Sequence, residues 1–306
     1  MRIAVLDDYQ DAARQSADWG DLDVTFFADH LADLDALATR LAPFDTVVVM
    51  RERTPFPAEL FPRLPQLRLL VTTGMVNAAI DFEAAAAAGV TVCGTGMYLS
   101  STTELTWALI LSLVRHIPEE DRALRAGRWQ TTVGSDLSGR CLGVVGLGRY
   151  GSLVADIGRA FGMRVIAWSQ NLDPSRPEWV SKEDLFRQAD VVTVHYKLGP
   201  RSVGLVGAAE LALMKPTAYL VNTSRGPVVD NGALVAALES GRIAGAAIDV
   251  FDTEPLPLDD PLRRAPRTIL TPHIGYVTEE AYQIAYSDAV EAIRAFADGT
   301  PVRVIA

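Results

Sequence analysis

The sequence predicts an α/β protein with two Rossmann-like domains, each built on a doubly wound parallel sheet. Three observations favour this class. Short apolar runs alternate with helical patterns along nearly all of the 306 residues. The run 46–50 is apolar throughout, as in strands that are buried on both faces of a parallel sheet. A glycine-rich turn, 146–151, follows another apolar run and precedes a helical pattern.

The first part of the chain reads as an open α/β sheet. Strands are predicted at 2–7, 23–28, 46–50, 67–72 and 90–93, and helices at 10–17, 31–41 and 82–88. Asp81 is placed to cap the third helix, and Gly89 is placed to end it. This alternation is sufficient to form a sheet of its own.

A single long helix, from Thr102 to about Ala126, is predicted to lead into a second series of strands. Those strands lie near 141–145, 164–168, 190–195, 218–222, 245–250 and 268–271, and six is the number that a dinucleotide-binding sheet requires. A last helix at about 278–298 and a short tail with Val302 and Val304 are expected to pack back on the first part. We therefore predict a discontinuous domain, 1–98 plus 279–306, into which a second domain, 99–278, is inserted.

The glycine-rich turn has the spacing of a dinucleotide-binding loop. Gly146, Gly148 and Gly151 would allow, in that order, a tight turn, close approach of a pyrophosphate, and close packing of helix on strand. The helix start would offer free N–H groups and the positive end of its dipole to the phosphates. The alternative is a plain strand-to-helix turn that needs small residues. Because a strand precedes the motif and a helix follows it, we predict a dinucleotide cofactor.

Composition excludes several classes of function. The formal net charge is −10 and lysine and arginine form no cluster, which argues against nucleic-acid binding. The longest apolar helical stretch, near 105–114, is too short to span a membrane, and the N-terminus reads as a strand, not a signal peptide. Cys93 and Cys141 lie in apolar runs and are expected to be buried free thiols, as in the reducing cytoplasm. No metal site is predicted.

Reactive side chains fall at the predicted carboxyl ends of strands, where ligands of open parallel sheets bind. Arg225 follows the fourth strand of the second series, Asp249 ends the fifth, and His273 follows the sixth. Glu254 lies in the loop between the fifth strand and the sixth. The sequence therefore places a guanidinium, carboxylates and an imidazole near one cofactor site.

This set suits hydride transfer between a nicotinamide and a 2-hydroxy or 2-keto acid. The nicotinamide carries the hydride, while the protein positions the substrate and handles the proton. Histidine suits proton transfer because its ordinary pKa lies near neutrality, and a paired carboxylate favours the imidazolium that protonates an alkoxide. A planar arginine can hold a carboxylate and polarise the neighbouring carbonyl.

Each of these residues also has a purely structural interpretation. His273 could be a capping or core-edge histidine, and Arg225 could be a surface ion-pair partner. Glu254, in a proline-rich loop, could be solvated, and Asp249 could cap a loop. His195, also at a strand end, is expected to be a wall of the cofactor site and not a second catalyst.

Four ordered motifs resemble the D-isomer-specific 2-hydroxyacid dehydrogenase family over essentially the whole chain. They are the turn 146–151, Val221 to Asp230, Ala247 to Pro255, and Pro272-His273-Ile274-Gly275. The resemblance implies an NAD(P)-binding Rossmann domain, 99–278, inserted in a flavodoxin-like substrate domain. It also implies an oxidoreductase that acts on the CH–OH group of a D-2-hydroxy acid, and a homodimer formed through the cofactor domain, with the helix after residue 102 in the interface.

The resemblance also implies roles for individual residues. Arg225 would bind the substrate carboxylate and carbonyl, His273 would be the acid/base, and Glu254 would be its paired carboxylate. Asp249 would contact the cofactor carboxamide, and backbone amides around Gly74 would hold the substrate carboxylate. The predicted substrate-binding residues are Arg51, Thr73, Gly74, Met75, Arg225 and His273. The predicted cofactor-binding residues are Thr103, Gly146, Leu147, Gly148, Arg149, Tyr150, Gly151, Ser169, Gln170, Asn171, His195, Tyr196, Thr223, Ser224, Arg225, Asp249, His273 and Gly275.

The chain departs from the family pattern after the second strand of the cofactor domain. Many NAD-using members place an aspartate there, whereas this sequence has Ser169-Gln170-Asn171. The arginine that NADP-using members commonly carry is also missing, so the choice between NAD and NADP stays open. In the first domain, Arg51 and Arg53 could recognise a phosphate or second carboxylate, or could be loop ion-pair residues. Glyoxylate, hydroxypyruvate and 3-phosphoglycerate are therefore all possible substrates.

The alternative class of function is a nicotinamide-sensing, corepressor-like binding protein on the same fold. The complete set of Arg225, Glu254 and His273 argues for catalysis, although a sensor can retain such a set. A substrate-dependent change in NAD(P)H absorbance distinguishes the two classes.

Overall fold

A computed structural model describes residues 1–98, 100–171 and 173–306, and the chain divides into two compact units. Unit 1 comprises Met1–Tyr98 and Val277–Ala306, and unit 2 comprises Leu99–Tyr276. Each unit contains a parallel sheet, so the predicted fold class is confirmed. The division after residue 276 falls two residues before the boundary predicted at 278.

Unit 1 contains a five-stranded parallel sheet. Its first elements are β1 (Arg2–Val5), α1 (Ala13–Ser16), β2 (Asp23–Phe26), α2 (Leu34–Leu41), β3 (Thr46–Val49), β4 (Leu69–Thr72), α3 (Phe82–Ala87) and β5 (Thr91–Gly94). The strand order, β2-β1-β3-β4-β5, is that of flavodoxin-like sheets. β3 and β4 are buried at every position, as their apolar runs predict. Asp81 caps α3 by accepting the N–H of Ala84.

Unit 2 contains a six-stranded parallel sheet. Its elements are α4 (Ser100–Val114), α5 (Ile117–Arg125), β6 (Cys141–Val145), α6 (Arg149–Ala160), β7 (Arg164–Trp168), α7 (Lys182–Gln188), β8 (Val191–Val194), α8 (Ala208–Leu213), β9 (Tyr219–Asn222), α9 (Asn231–Glu239), β10 (Gly245–Ile248) and β11 (Thr268–Leu270). The strand order is β11-β10-β9-β8-β6-β7, and Trp179 adds a single parallel bridge to Ala167 of β7. If this bridge is counted as a short third strand, the bridge, β7, β6, β8, β9 and β10 give the order 3-2-1-4-5-6 of dinucleotide-binding sheets. β11 is one further strand beyond this set.

The order of strands reverses between β6 and β8. The chain leaves β6 toward β7 and then returns past β6 to form β8. Ligands of open α/β sheets bind outside the carboxyl ends of the strands at such a point. The glycine-rich turn follows β6 and His195 follows β8, so both lie at this point of the sheet.

The prediction of one long helix from Thr102 to about Ala126 is wrong, because the structure has two helices, α4 and α5. Between them His116 adopts a left-handed conformation with φ of 52°. Pro118 explains the break, because its nitrogen has no hydrogen to donate to the Val114 carbonyl, as a continuous helix requires. That carbonyl instead accepts the N–H of Ser135 over 2.7 Å.

The chain returns to unit 1 through α10 (Glu279–Ala297), which packs on α1 and β4. The tail that follows pairs antiparallel with β5. The N–H of Val92 donates to the carbonyl of Ala306 over 2.7 Å, and the N–H of Gly94 donates to that of Arg303 over 2.9 Å. The tail therefore protects the edge of the unit 1 sheet that β5 would otherwise expose.

Both cysteines are buried and free, as predicted, and burial raises the pKa of the Cys93 and Cys141 thiols. Within the described ranges, no helix has the length and apolar character that crossing a membrane requires. The same residues include no group of three histidine, cysteine or acidic side chains that could hold a metal ion.

Candidate active site

The glycine-rich turn connects β6 to α6, and its glycines meet three different steric demands. Gly146 has φ of 96°, and a Cβ there would lie 2.7 Å from the carbonyl oxygen of His195. A Cβ on Gly151 would lie 2.0 Å from the carbonyl oxygen of Gly146. A Cβ on Gly148 would meet nothing within 4 Å. Gly148 therefore borders open space, where a pyrophosphate can approach the backbone closely.

The start of α6 offers backbone donors to such a group. The N–H of Ser152 bonds back to the carbonyl of Gly148 over 2.9 Å. For the N–H groups of Leu147, Gly148 and Arg149, the described part of the chain supplies no acceptor. Unsatisfied N–H groups at a helix start favour phosphate binding. The residues of the turn therefore fit a dinucleotide.

The end of β7 carries the residues predicted for the cofactor ribose. Ser169 is half-buried, whereas Gln170 and Asn171 are exposed. The N–H of Gln170 donates to the Tyr196 hydroxyl over 3.2 Å, and the Tyr196 ring stacks on Trp168 with centroids 6.2 Å apart. Residues that follow β7 and β8 are thus held together at one end of the sheet.

His195 and Thr223 end neighbouring strands of the same sheet. One ring nitrogen of His195 shares a hydrogen bond with the Thr193 hydroxyl over 2.8 Å. Although the residue as a whole is half-buried, burial of the ring lowers the pKa of His195 to about 4. The ring is therefore neutral near pH 7, which suits a wall of the cofactor site. The Thr223 hydroxyl lies 2.8 Å from the Thr106 hydroxyl on α4, and both residues are buried. Thr103, in the first turn of the same helix, is also buried.

Arg225 lies in a sharp turn after β9. The Asn222 side chain orders this turn, since its amide donates to the Arg225 carbonyl over 3.0 Å and its oxygen accepts the Ser224 N–H over 3.0 Å. The next residue, Gly226, approaches the segment after β10 so closely that a Cβ would lie 2.1 Å from the carbonyl carbon of Phe251. The backbone on both sides of Arg225 is therefore fixed.

His273 and Glu254 form a hydrogen-bonded pair. Nδ1 of His273 lies 2.6 Å from Oε2 of Glu254, and Oε1 of Glu254 accepts the N–H of Phe251 over 2.8 Å. The two side chains are 14% and 27% exposed. Because a carboxylate can only accept, Nδ1 carries the hydrogen and Nε2 is left for a reactant. The Tyr276 ring contacts the imidazole edge-on, with centroids 5.2 Å apart.

Asp249 holds the turn that carries His273. Its buried carboxylate accepts the Thr271 hydroxyl over 2.6 Å, the Ile274 N–H over 2.9 Å and the Gly275 N–H over 3.0 Å. Burial raises the pKa of Asp249, and these hydrogen bonds oppose the rise. His273 has φ of 52°, which is unfavourable for a residue with a side chain, and the Asp249 contacts stabilise that conformation. The contact of Asp249 with a cofactor carboxamide stays a prediction.

Unit 1 carries two arginines of the predicted substrate loop, and they are held differently. The N–H of Arg51 donates to the Thr73 hydroxyl over 2.8 Å, and its guanidinium donates to the Thr73 carbonyl over 3.2 Å. The guanidinium of Arg53 donates to the Asp7 carbonyl over 2.6 Å and lies over the Tyr9 ring, 4.6 Å from its centroid. Arg53 is therefore held by structural contacts at the end of β1.

The backbone amides predicted to hold a carboxylate lie in the loop after β4. Gly74 has φ of 88°, and its N–H donates to the Thr95 hydroxyl over 2.8 Å. That amide is therefore engaged within unit 1. Met75 and Val76 are 45% and 55% exposed, and the described residues supply no acceptor for their N–H groups. These two exposed amides are therefore available to a ligand.

The sequence does not predict that three residues orient the site: Asn222, Thr271 and Tyr276. Asn222 and Thr271 are polar residues at the ends of apolar runs, and this position is the feature by which they could be recognised. Nothing in the sequence indicates that the Tyr276 ring lies against His273.

Comparisons with known proteins bear on the family and the fold of this chain. The model of the D-isomer specific 2-hydroxyacid dehydrogenase NAD binding domain matches residues 107–275. A glyoxylate reductase from Aeropyrum pernix is 40% identical over 256 residues, which are 79% of this chain and 76% of that protein. A D-3-phosphoglycerate dehydrogenase from Bacillus subtilis is 38% identical over 270 residues, which are 86% of this chain but only 51% of that longer protein. The crystal structure of a phosphoglycerate oxidoreductase from Vibrio cholerae gives a TM-score of 0.92 at 37% identity, covering 98% of this chain and 99% of that one.

The fold and the site thus define a two-domain oxidoreductase that uses a nicotinamide dinucleotide. The chain belongs to the D-isomer specific 2-hydroxyacid dehydrogenase family, as the sequence motifs predict. The prediction of an NAD(P)-dependent enzyme acting on 2-hydroxy acids is confirmed. The corepressor-like alternative finds no support among these relatives, which are named as reductases, dehydrogenases or oxidoreductases.

Proposed function

We propose that Arg225, Glu254 and His273 carry out the interconversion of a small 2-keto acid and its D-2-hydroxy acid. The observation that supports this most strongly is the 2.6 Å contact between His273 and Glu254 at the carboxyl end of the unit 2 sheet. The cofactor, when bound, donates or accepts the hydride.

His273 exchanges the proton that accompanies the hydride. In the reducing direction, the proton on Nε2 passes to the oxygen that becomes the hydroxyl, and the Glu254 carboxylate stabilises the imidazolium beforehand. In the oxidising direction, neutral His273 accepts the hydroxyl proton at Nε2. The Nδ1 hydrogen stays with Glu254 throughout, so the ring keeps one orientation.

Arg225 binds the carboxylate of the acid and polarises the adjacent carbonyl. A guanidinium can offer two parallel donors to a carboxylate, which fixes the direction of the substrate. The half-buried position of Arg225 and the fixed backbone on both sides of it support this role. In unit 1, the N–H groups of Met75 and Val76, for which the described residues supply no acceptor, are candidates for binding an anionic group.

For the cofactor, we propose that the turn 146–151 holds the pyrophosphate and that Ser169, Gln170 and Asn171 face the adenosine ribose. None of these three side chains is acidic, so none repels a 2′-phosphate. We therefore expect the enzyme to accept NADP as well as NAD.

We also propose a cytoplasmic homodimer formed through unit 2. Trp129 and Val133, in the segment after α5, are 75% and 92% exposed, and Leu124 on α5 is 58% exposed. Large apolar side chains exposed together favour contact with a partner, and a second copy of the chain is the partner proposed. The two buried free thiols suit a reducing compartment. Light scattering should give a mass near twice 33.1 kDa.

The decisive experiment replaces His273 by alanine. The substrate panel consists of glyoxylate, hydroxypyruvate and the keto acid that corresponds to 3-phosphoglycerate. His273→Ala should lower kcat by about 10²–10⁴ while NADH binding is retained. His116→Asn is the matched control, because it removes a histidine of unit 2 away from the site and asparagine tolerates the left-handed conformation. A His273→Ala enzyme with turnover near the wild-type value would refute the role.

A further inference from the structure

The loop that follows β8 brings a basic residue to the end of β7. This loop comprises residues 197–202. The Gln170 side-chain amide donates to the carbonyl oxygen of Arg201 over 3.3 Å. The N–H of the same Gln170 donates to the hydroxyl of Tyr196, directly before the loop, over 3.2 Å. Two hydrogen bonds therefore connect Gln170 to the loop and to Tyr196, the residue directly before it.

The loop has a compact internal structure. Ser202 is only 2% exposed, its hydroxyl donates to the Lys197 carbonyl over 2.8 Å, and it accepts the Gly199 N–H over 2.9 Å. These contacts close the loop on itself next to Arg201. The hydrogen bonds within the loop therefore fix the position of the Arg201 backbone.

The charge of Arg201 is uncompensated. Its side chain is exposed, and within residues 1–98, 100–171 and 173–306 it has no ion pair or side-chain hydrogen bond. Arg159 and Arg176, by contrast, are paired with Glu178. Lys197, at the start of the loop, is exposed and equally without a partner in the described residues. The loop therefore presents positive charge that pairs with no carboxylate among the described residues.

We propose that Arg201 binds the 2′-phosphate of NADP, so that the loop after β8 supplies the cation that the end of β7 lacks. In dinucleotide-binding sheets the residues after the second strand face the adenosine ribose, and a nearby arginine accommodates a 2′-phosphate. Ser169 and Asn171 can donate hydrogen bonds there but carry no charge. A guanidinium can pair with a phosphate through two parallel, charge-assisted hydrogen bonds. Lys197 adds a second positive charge to the same loop.

This assignment rests on the proposed cofactor site, in which Ser169, Gln170 and Asn171 face the adenosine ribose, but it needs none of the catalytic roles. It also predicts a direction of selectivity. NADPH gains the contact of its 2′-phosphate with Arg201, whereas NADH has no 2′-phosphate. The residue should therefore affect the two dinucleotides unequally.

The test measures dissociation constants of NADPH and NADH by calorimetry on the full chain, without substrate. Arg201→Ala should raise the Kd of NADPH about tenfold, the effect of losing one modest charge-assisted contact, and leave that of NADH within about twofold. Arg201→Lys should recover part of the loss, because lysine keeps the charge but not the planar fork. Arg187→Ala is the matched control. It removes the same charge from an exposed position on α7, near the amino end of β8, and should change neither constant.

Fragments of the cofactor give an independent measurement. Wild-type enzyme should bind 2′,5′-ADP more tightly than 5′-AMP, and Arg201→Ala should abolish that preference. Equal weakening of NADH and NADPH, or no change in either, would overturn the assignment. So would a wild type that binds the two fragments equally. Because no turnover is involved, these outcomes are separate from any result with His273→Ala.

Discussion

Replacement of Glu254 by glutamine isolates the contribution of its negative charge to His273. Glutamine has nearly the same size, and its oxygen can still accept the N–H of Phe251, as Oε1 of Glu254 does. Toward Nδ1 of His273, however, it presents an uncharged group in place of the carboxylate at 2.6 Å. The variant therefore changes the electrostatics of the pair with little change in packing.

The size of the effect follows from the contact and its burial. A hydrogen bond to a charged group contributes about 1.5–3 kcal/mol. Glu254 is 27% exposed, which places the value toward the lower end because solvent screens the pair. At about 1.4 kcal/mol per factor of ten, kcat/KM for keto-acid reduction should fall about 10- to 30-fold at neutral pH.

The comparison of turnover with cofactor binding gives the sharper signature. In the proposed reaction Nε2 of His273 exchanges the proton, while the Glu254 carboxylate accepts the hydrogen on Nδ1 over 2.6 Å. The loss in Glu254→Gln should therefore appear in turnover, whereas the Kd of NADH should stay within about twofold of the wild-type value.

The assay follows NADH absorbance during keto-acid reduction at neutral pH, with NADH binding measured separately. Glu239→Gln, which removes an exposed carboxylate from the end of α9, is the control and should behave as the wild type. A parallel loss of NADH binding and turnover would show that Glu254 acts on structure and not on proton transfer. Activity within about twofold of the wild type would refute the pairing argument, since about 0.4 kcal/mol is too small for this contact.

Three further predictions concern the rest of the site. Arg225→Lys keeps the charge but loses the planar fork, so kcat/KM for a keto acid should fall about tenfold or more while Tm changes little; unfolding without a specific kinetic defect would instead mark Arg225 as structural. Ser169→Asp should weaken NADPH by about 1–3 kcal/mol, because the new carboxylate opposes the 2′-phosphate. An unchanged ratio of kcat/KM for NADH and NADPH would contradict the placement of the ribose. Burial lowers the pKa of His195 from 6.5 to about 4, so the unfolded state binds more protons between these values and stability falls as the pH drops through them. Urea unfolding should show a loss of about 1 kcal/mol between about pH 7.5 and pH 5.5 that is absent in His195→Gln.

Local chain properties explain why the sequence predicts most strands well. A strand buried on both faces must be apolar at nearly every position, so runs such as 46–50 and 141–145 are visible without any tertiary information. The glycines at 146, 148 and 151 can also be recognised in the sequence, because their spacing lies within one short turn. The steric reason for Gly146 is nevertheless tertiary, since a Cβ there would meet the carbonyl of His195. The error at α4 and α5 was of another kind. Apolar periodicity favours one continuous helix, whereas the hydrogen bond that Pro118 cannot make divides the segment in two.

The sequence by itself determined the two α/β domains, the dinucleotide turn and the identity of the reactive side chains. Only the tertiary structure decided which of them touch. His273 and Glu254 are 19 positions apart, and Gln170 and Arg201 are 31 positions apart, so neither contact can be inferred from local spacing. Both depend on which strands are neighbours and on how the loops between them close. The same is true of Asp249, whose carboxylate meets three donors of the His273 turn because β10 and β11 run side by side. Periodicity encodes which face of a segment is buried, whereas side-chain contacts across a sheet arise from the parallel register of strands that are distant in the chain.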